Sequence, residues 1–244
     1  MDFLKQHPFA IEGHFNYSLV LTFAFPKAEL ENLIPMPLVL DCYEDKWAFV
    51  AVAMVQTKDL RLKGFPKWTG RDFFLIGYRV FVQYKTAAGK RLRGLYILKS
   101  ETDSALMTKM GNLMTHYGYE MIDISFQENE ESILVQSKAS GIKVGINHQQ
   151  ADWSLPIGSP FPDWKTARRY AGPLPFTFYV DGQAGTISIV EGIRNKWIPQ
   201  PVEVKTWEFG FLKQRNLDHG LLANAFIIRD IPYSWKKGRR ENWK

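Results

Sequence analysis

Between Phe73 and Tyr84, Phe74, Ile76, Tyr78, Val80, Val82 and Tyr84 fall on every second position. A period of two puts all six side chains on one face of a strand, a grouping that a helix cannot make. As far as Phe81, residues on the other face are apolar or small as well, with Leu75, Gly77 and Phe81, but Arg79 stands among them. The rest of the fold must cover this strand and provide for its charge.

The remaining segments are mostly of the same kind. Phe15 to Phe25 is β-branched and aromatic and is expected to be a strand. Pro26 opens a short helix over Lys27 to Leu33, closed by Pro35 and Pro37. Val39 to Cys42 and Trp47 to Val55 are expected to pair as a hairpin about the polar turn at Glu44-Asp45-Lys46. The second of these is continuously apolar, so both its faces are buried. Leu60 to Arg71, with Gly64, Pro66 and Gly70, reads as a loop, and Leu92 to Leu98 as a strand. One longer helix is predicted, capped near Thr102-Asp103 and ending before Gly118. Its positions Leu106, Met110, Leu113 and Tyr117 should face the core, with Ala105, Lys109, Asn112 and His116 on a second, mostly polar stripe. Further strands are expected at Tyr119 to Phe126, Ile133 to Lys138, Phe176 to Val180, Thr186 to Glu191 and Pro201 to Leu212. The Pro- and Trp-rich stretch from Asp152 to Gly172 has room for one helical turn, at Trp164 to Tyr170.

Many short strands with one good helix argue for a mainly β fold, a barrel or sandwich, in a single domain spanning residues 1–244. Aromatic residues make up 14% of the chain and suit both sheet faces and the wall of an interior cavity. The formal charge of +6 comes from scattered basic residues and one run, Lys236-Lys237-Gly238-Arg239-Arg240, read as a solvated tail. Neither a nucleic-acid nor a membrane partner is expected. Cys42 is the only cysteine, which excludes an intrachain disulfide and a thiolate metal cluster. The opening residues lack the apolar core of a signal peptide, and a cytoplasmic setting is the expectation. His14, His148 and His219 have no metal-binding spacing, and no phosphate loop, nucleophile elbow or dinucleotide fingerprint occurs. No metal or cofactor is expected.

Three stretches carry a resemblance. The first is Leu30-Glu31-Asn32-Leu33-Ile34-Pro35-Met36-Pro37-Leu38 followed by Ala48 to Met54, with its Ala53-Met54 pair. The second runs from Gly94-Leu95-Tyr96-Ile97-Leu98 through the helix to His116-Tyr117-Gly118-Tyr119, and the third, looser one covers Leu174 to Trp207. In this order they resemble the acetoacetate decarboxylase superfamily over roughly Asn16 to Leu212, and most closely an uncharacterised bacterial branch of it. The resemblance implies a closed or nearly closed antiparallel β-barrel with one packed helix and short extra helices. It also implies an interior cavity and assembly into a homo-oligomer.

Decarboxylases of that superfamily carry two adjacent lysines at the end of the helix. One forms a Schiff base with the substrate ketone, and its neighbour lowers its pKa. Here the matching pair is Thr115-His116. The cavity glutamates of the family fall on Val50 and near Leu75, and its arginine falls near Asn16. Schiff-base decarboxylation is therefore not expected. The ligand class that the resemblance implies is a small keto acid or other carboxylate. Lyase-type chemistry is one reading, and a non-catalytic carrier or sensor of lipophilic acids is the other.

The candidate catalytic residues are His116, Thr115 and Lys109, with His116 proposed for acid–base work or for holding a carboxylate. The alternative for His116 is a surface histidine on the polar stripe. Arg79 is an anion clamp if it points inward and an ordinary solvated arginine if it points out. Tyr78 and Tyr96 either pack in the sheet or line the cavity. Glu191 either faces the cavity or pairs with Arg194.

Overall fold

The computed structural model describes residues 4–149, 155–170, 174–195 and 197–243. In chain order the first elements are β1 (Ile11–Pro26), α1 (Lys27–Leu30), β2 (Val39–Leu40), β3 (Trp47–Leu62), β4 (Arg71–Lys85), β5 (Arg91–Thr102) and α2 (Ala105–Met114). Then come β6 (Tyr119–Met121), β7 (Ser125–Glu128), β8 (Ser132–Ser137), β9 (Ile142–Asn147), α3 (Trp164–Ala167), β10 (Phe176–Asp181) and β11 (Thr186–Arg194). The last are β12 (Gln200–Pro201), β13 (Glu203–Phe209), α4 (Gly210–Gln214), β14 (Leu221–Trp235) and β15 (Arg239–Asn242).

Seven strands close into a ring in the order β14, β1, β3, β4, β5, β10, β11, with β11 returning to β14. Every pairing around the ring is antiparallel except that of β5 with β10. A second sheet of four strands, β13, β9, β8 and β7, covers part of the ring from outside. Among the described residues no helix is long and apolar enough to cross a membrane.

The alternation in β4 sets the two faces of the ring wall. Phe74, Ile76, Tyr78, Val80, Val82 and Tyr84 point outward into a core shared with Ile133, Val135, Val144 and Phe209 of the second sheet. Aromatic pairs join the two sheets, such as Tyr17 with Phe126 at 4.8 Å and Phe23 with Trp207 at 4.7 Å between ring centroids. The inward face carries a separate core, in which Phe49, Phe81 and Phe226 surround the short side chains Ala51, Ala53 and Ala24.

Several expectations are corrected. β2 pairs with β4 and not with β3, so the expected hairpin is a crossover, with only a Tyr43–Trp47 bridge at its turn. The expected Leu60 to Arg71 loop is shorter, because β3 continues to Leu62. The Tyr119 to Phe126 strand is two strands in different sheets, β6 beside β5 and β7 beside β8. Pro201 to Leu212 divides into β12, β13 and the start of α4. The sequence reading did not include β9, β14 or β15. β15 contains Arg239 and Arg240, so the second half of the basic run is a strand hydrogen-bonded to β11 and not a tail. The expected helical turn is present as α3, while residues 152–154 and 171–172 at the ends of that stretch lie outside the described residues.

The largest correction concerns α2. Its N-cap is Ser104, whose hydroxyl accepts from the Met107 N–H at 3.2 Å. Leu106, Met110 and Leu113 are exposed, and only Gly111 is buried. The helix does not lie flat on a sheet. It lies across the open end of the ring, so that Met107 and Met114 meet a cavity, Leu106 and Leu113 meet solvent, and Met110 reaches both.

Candidate functional site

The ring encloses a cavity of about 200 Å³ at the end where β1 and β4 begin and β3 and β14 finish. Ala51 and Ala53 make the space, since short side chains on adjacent inward positions leave the ring unfilled. Met107, Met110 and Met114 of α2 close it from above, and His7 and Phe9 from the side. Phe9 and Met110 are also exposed on the outer surface, so the cavity reaches solvent beside them. Among the described residues the lining contains no lysine, aspartate or glutamate.

Arg79 is the fixed charge in this wall. Protein encloses it completely, yet it keeps accessible surface because that surface is the cavity's own wall. Its Nε has no hydrogen-bond partner, and no carboxylate pairs with it among the described residues. Burial lowers its pKa while the tyrosine oxygens of Tyr233, Tyr119 and Tyr117 oppose the shift. An arginine remains a cation through such shifts. An uncompensated buried cation is costly, and the fold keeps one here.

The local backbone explains how it is held. A register shift between Tyr78 and Arg79 pairs Arg79 with Ile97 and leaves Leu98 as the extra residue on β5. The guanidinium folds back over Gly77, where a Cβ would lie 3.0 Å from Nε and 3.1 Å from Nη2. Glycine at position 77 therefore makes room for the charge.

Other polar groups complete the wall. The Trp197 indole N–H lines the cavity and also has no acceptor. Tyr117, Tyr119 and Tyr233 are held as neutral phenols, since burial pushes their pKa values up, that of Tyr119 to about 12. Burial pulls His7 down to about 4, so its imidazole is neutral at pH 7. His7 is anchored by its backbone, which donates to the Met114 carbonyl at 3.1 Å and accepts from the Gly238 N–H at 2.9 Å. Among the described residues the wall thus presents one arginine cation and several neutral donors, the complement of a single anionic, acceptor-rich group.

Only two of the sequence candidates reach this cavity, Arg79 and Thr115. The Thr115 hydroxyl donates to the Gly111 carbonyl at 2.8 Å and is already engaged. The backbone is extended at Thr115, with φ −143° and ψ 171°, so successive side chains there point to opposite sides. Thr115 and Tyr117 turn in and His116 turns out, stacking on Tyr179 at 3.6 Å between centroids. His116 therefore does not converge with Arg79. Lys109 is exposed on α2. Tyr78 is on the outer face and donates to Glu101 at 3.0 Å, and Tyr96 is half-buried on the same face. Glu191 pairs with Lys236 at 2.9 Å, not with Arg194, whose guanidinium lies over Trp197. Of the positions matched to family residues, Leu75 lines the cavity, Val50 faces outward, and Asn16 is an exposed donor to Gln56.

Sequence reasoning missed His7 and Trp197. Both come from segments outside the regular alternation, so no periodicity marks them as inward. The one available signal was composition: a histidine and a tryptophan, each next to or near proline, at the ends of strands.

The model of the DUF2071 family, described as an uncharacterized conserved protein, matches residues 14–232. No curated protein matches the sequence significantly. Among solved structures, acetoacetate decarboxylase from Legionella pneumophila is similar with a TM-score of 0.62 at 10% identity, over 98% of this chain and 90% of that one. The enduracididine biosynthesis enzyme MppR, described in complex with pyruvate, gives 0.62 at 9% identity over 97% and 92%. An acetoacetate decarboxylase-like enzyme from Sphingomonas wittichii gives 0.52 at 12% identity over 96% and 90%. At these identities the likeness is one of fold, and that fold is the acetoacetate decarboxylase-like one.

Proposed function

The chain belongs to the DUF2071 family and has the acetoacetate decarboxylase-like fold, and on that premise we propose that it binds a small keto acid or other carboxylate within the ring, with the carboxylate on Arg79. The observation that carries this reading is the guanidinium with a buried, unpartnered Nε facing a mostly apolar cavity. A carboxylate would satisfy that Nε, and Trp197 offers a second donor. Its carbon chain would lie against Val20, Ala51, Ala53 and the α2 methionines. MppR, of the same fold, is described with pyruvate, a keto acid of this class.

An imine needs an amine, and among the described residues the lining offers no lysine. Arg79 also acts on the wrong side of a decarboxylation. It stabilises the ionised carboxylate of the ground state, whereas cleavage disperses that charge, and only stabilisation specific to the transition state raises the rate. This observation favours the second reading, a carrier or sensor that holds a lipophilic acid without transforming it. If chemistry does occur, His7 is the neutral acid–base group at the cavity, and His116 is outside it.

Calorimetric titration with pyruvate, acetoacetate and medium-chain carboxylates tests the proposal. Arg79→Met should weaken binding on the order of 100-fold, and Trp197→Phe up to roughly tenfold, consistent with loss of a charged or a neutral hydrogen bond. Borohydride treatment with acetoacetate should leave the intact mass unchanged. A lysine adduct, or carboxylate binding indifferent to Arg79→Met, would sink the proposal.

A further inference from the structure

The connection from β3 to β4 exposes its apolar residues at a tight tip. Trp68 is 82% and Phe65 52% exposed. The tip is a stiff turn: Phe65 N–H donates to the Leu62 carbonyl at 3.1 Å and Thr69 N–H to the Pro66 carbonyl at 3.0 Å. Two large rings held in water on a rigid turn are not explained by packing within this chain.

The tip borders the cavity mouth. Lys63 N–H donates to the Ala10 carbonyl at 2.9 Å, which places the tip next to Phe9 on the rim. Leu60 and Phe73, on the strands that lead into and out of the tip, line the cavity. Across the mouth lies α2 with its exposed stripe of Leu106, Met110 and Leu113.

The charges around this end are unequal. Among the described residues Lys5, Lys63, Lys67, Arg71 and Lys109 are exposed and have no ion-pair partner. Glu12 and Asp72 are taken up by Arg61 and Lys58, each at 2.7 Å, which leaves Asp59 and Asp103 as the remaining acids nearby among the described residues. Asp103 is itself an acceptor for the Phe74 N–H.

We infer that this end of the ring is a docking surface for an anionic lipid bilayer, with Phe65 and Trp68 as the inserting tip and Lys63, Lys67 and Arg71 on the headgroups. Tryptophan between lysines suits the boundary of headgroups and acyl chains, and the excess cations match an anionic leaflet. A second copy of the chain fits less well, because a two-fold contact through this face would set the same unpaired cations against each other. A homo-oligomer of the kind the resemblance implies would use another face. The sequence reading expects no membrane partner. It weighed the run at Lys236 to Arg240 and not this tip, whose exposure only the fold reveals.

The inference is independent of what the cavity binds, and its test uses no carboxylate. The wild-type chain is sedimented with vesicles of phosphatidylcholine alone and of phosphatidylcholine with phosphatidylglycerol, at low and high salt. Binding is expected to the anionic vesicles only and to weaken with salt. The Phe65→Ser/Trp68→Ser variant should lose at least about tenfold. Lys63→Gln, Lys67→Gln and Arg71→Gln should lose roughly fivefold each. All these positions are exposed, so folding should be unaffected, and unchanged calorimetric carboxylate binding by the variants would separate this result from any failure of the cavity reading. Absence of binding to anionic vesicles, equal binding to neutral ones, or indifference to Phe65→Ser/Trp68→Ser overturns the inference. A wild-type dimer in solution that this double variant dissociates also overturns it, in favour of a second copy.

Discussion

Two buried charges lie on neighbouring strands of the ring wall and meet opposite treatment. Glu101 on β5 points outward, has no exposed surface, and is fully engaged. Tyr78 donates to it at 3.0 Å, the Ser140 hydroxyl donates to its other oxygen, and Lys99 pairs with it at 2.9 Å. Arg79 on β4 points inward with no carboxylate and an unpartnered Nε. A charge with every partner supplied by its own chain ties β4, β5 and the loop after β8 together. A charge without one is what the proposed carboxylate would pair with.

Breaking the outer charge should have the largest effect. Glu101→Ala leaves Tyr78, Ser140 and Lys99 without their shared acceptor, and a loss of about 3 kcal/mol is expected in chemical denaturation. Arg79→Met, in contrast, removes a charge that no carboxylate among the described residues pairs with, and stability should hold or rise by about 1 kcal/mol. Equal destabilisation by the two variants would erase the distinction drawn here.

A finer test leaves both charges in place. Gly77→Ala puts a methyl group 3.0 Å from the Arg79 Nε and must shift the guanidinium. Carboxylate affinity should fall roughly tenfold while stability changes by less than about 1.5 kcal/mol. Unchanged affinity would mean that the folded-back position of Arg79 is not the one that binds.

The smallest effect belongs to His7. Its folded pKa of about 4 lies below the ordinary histidine value of 6.5, so the unfolded chain binds the proton more readily in between. The contribution of neutral His7 is complete above pH 6.5 and is lost as the pH falls toward 4. Because the imidazole borders a cavity open to solvent, about 1 kcal/mol across that window is expected rather than the full shift. The difference in melting temperature between wild type and His7→Gln, followed from pH 7 to pH 4, measures it.

The wall of the ring was readable in the sequence because a strand repeats every two residues. The run from Phe74 to Tyr84 marks one apolar face and puts Arg79 on the opposite one, while which of the two faces is the inner one is settled only by the fold. The continuous apolar run at Trp47 to Val55 was correctly expected to be buried on both sides. Parity failed where the backbone changed its period. His116 was placed by helical spacing, but α2 ends at Met114 and the chain is extended one residue later. The stripe of Leu106, Met110 and Leu113 looked like a core face because apolar periodicity records amphipathicity and not what lies opposite. β14 mixes apolar residues with Asn224, Arg229, Asp230 and Pro232, and such a mixture hides a strand that its neighbours bury. Most of the site was not legible for a related reason. A cavity is made by residues that fail to meet across the ring, and no local pattern encodes that.

The pairing of β1 with β14 joins Ile11 to Trp235 at one end and Ala24 to Leu221 at the other. These partners are separated by almost the whole chain, so the contact that closes the ring has very high contact order and forms late. Until Leu221 to Trp235 has been synthesised, β1 has an open edge carrying Leu19, Leu21 and Phe23, residues that the finished fold buries completely. The same closure that later sets an arginine inside the ring therefore leaves the nascent chain prone to aggregate during the interval before its last long strand arrives.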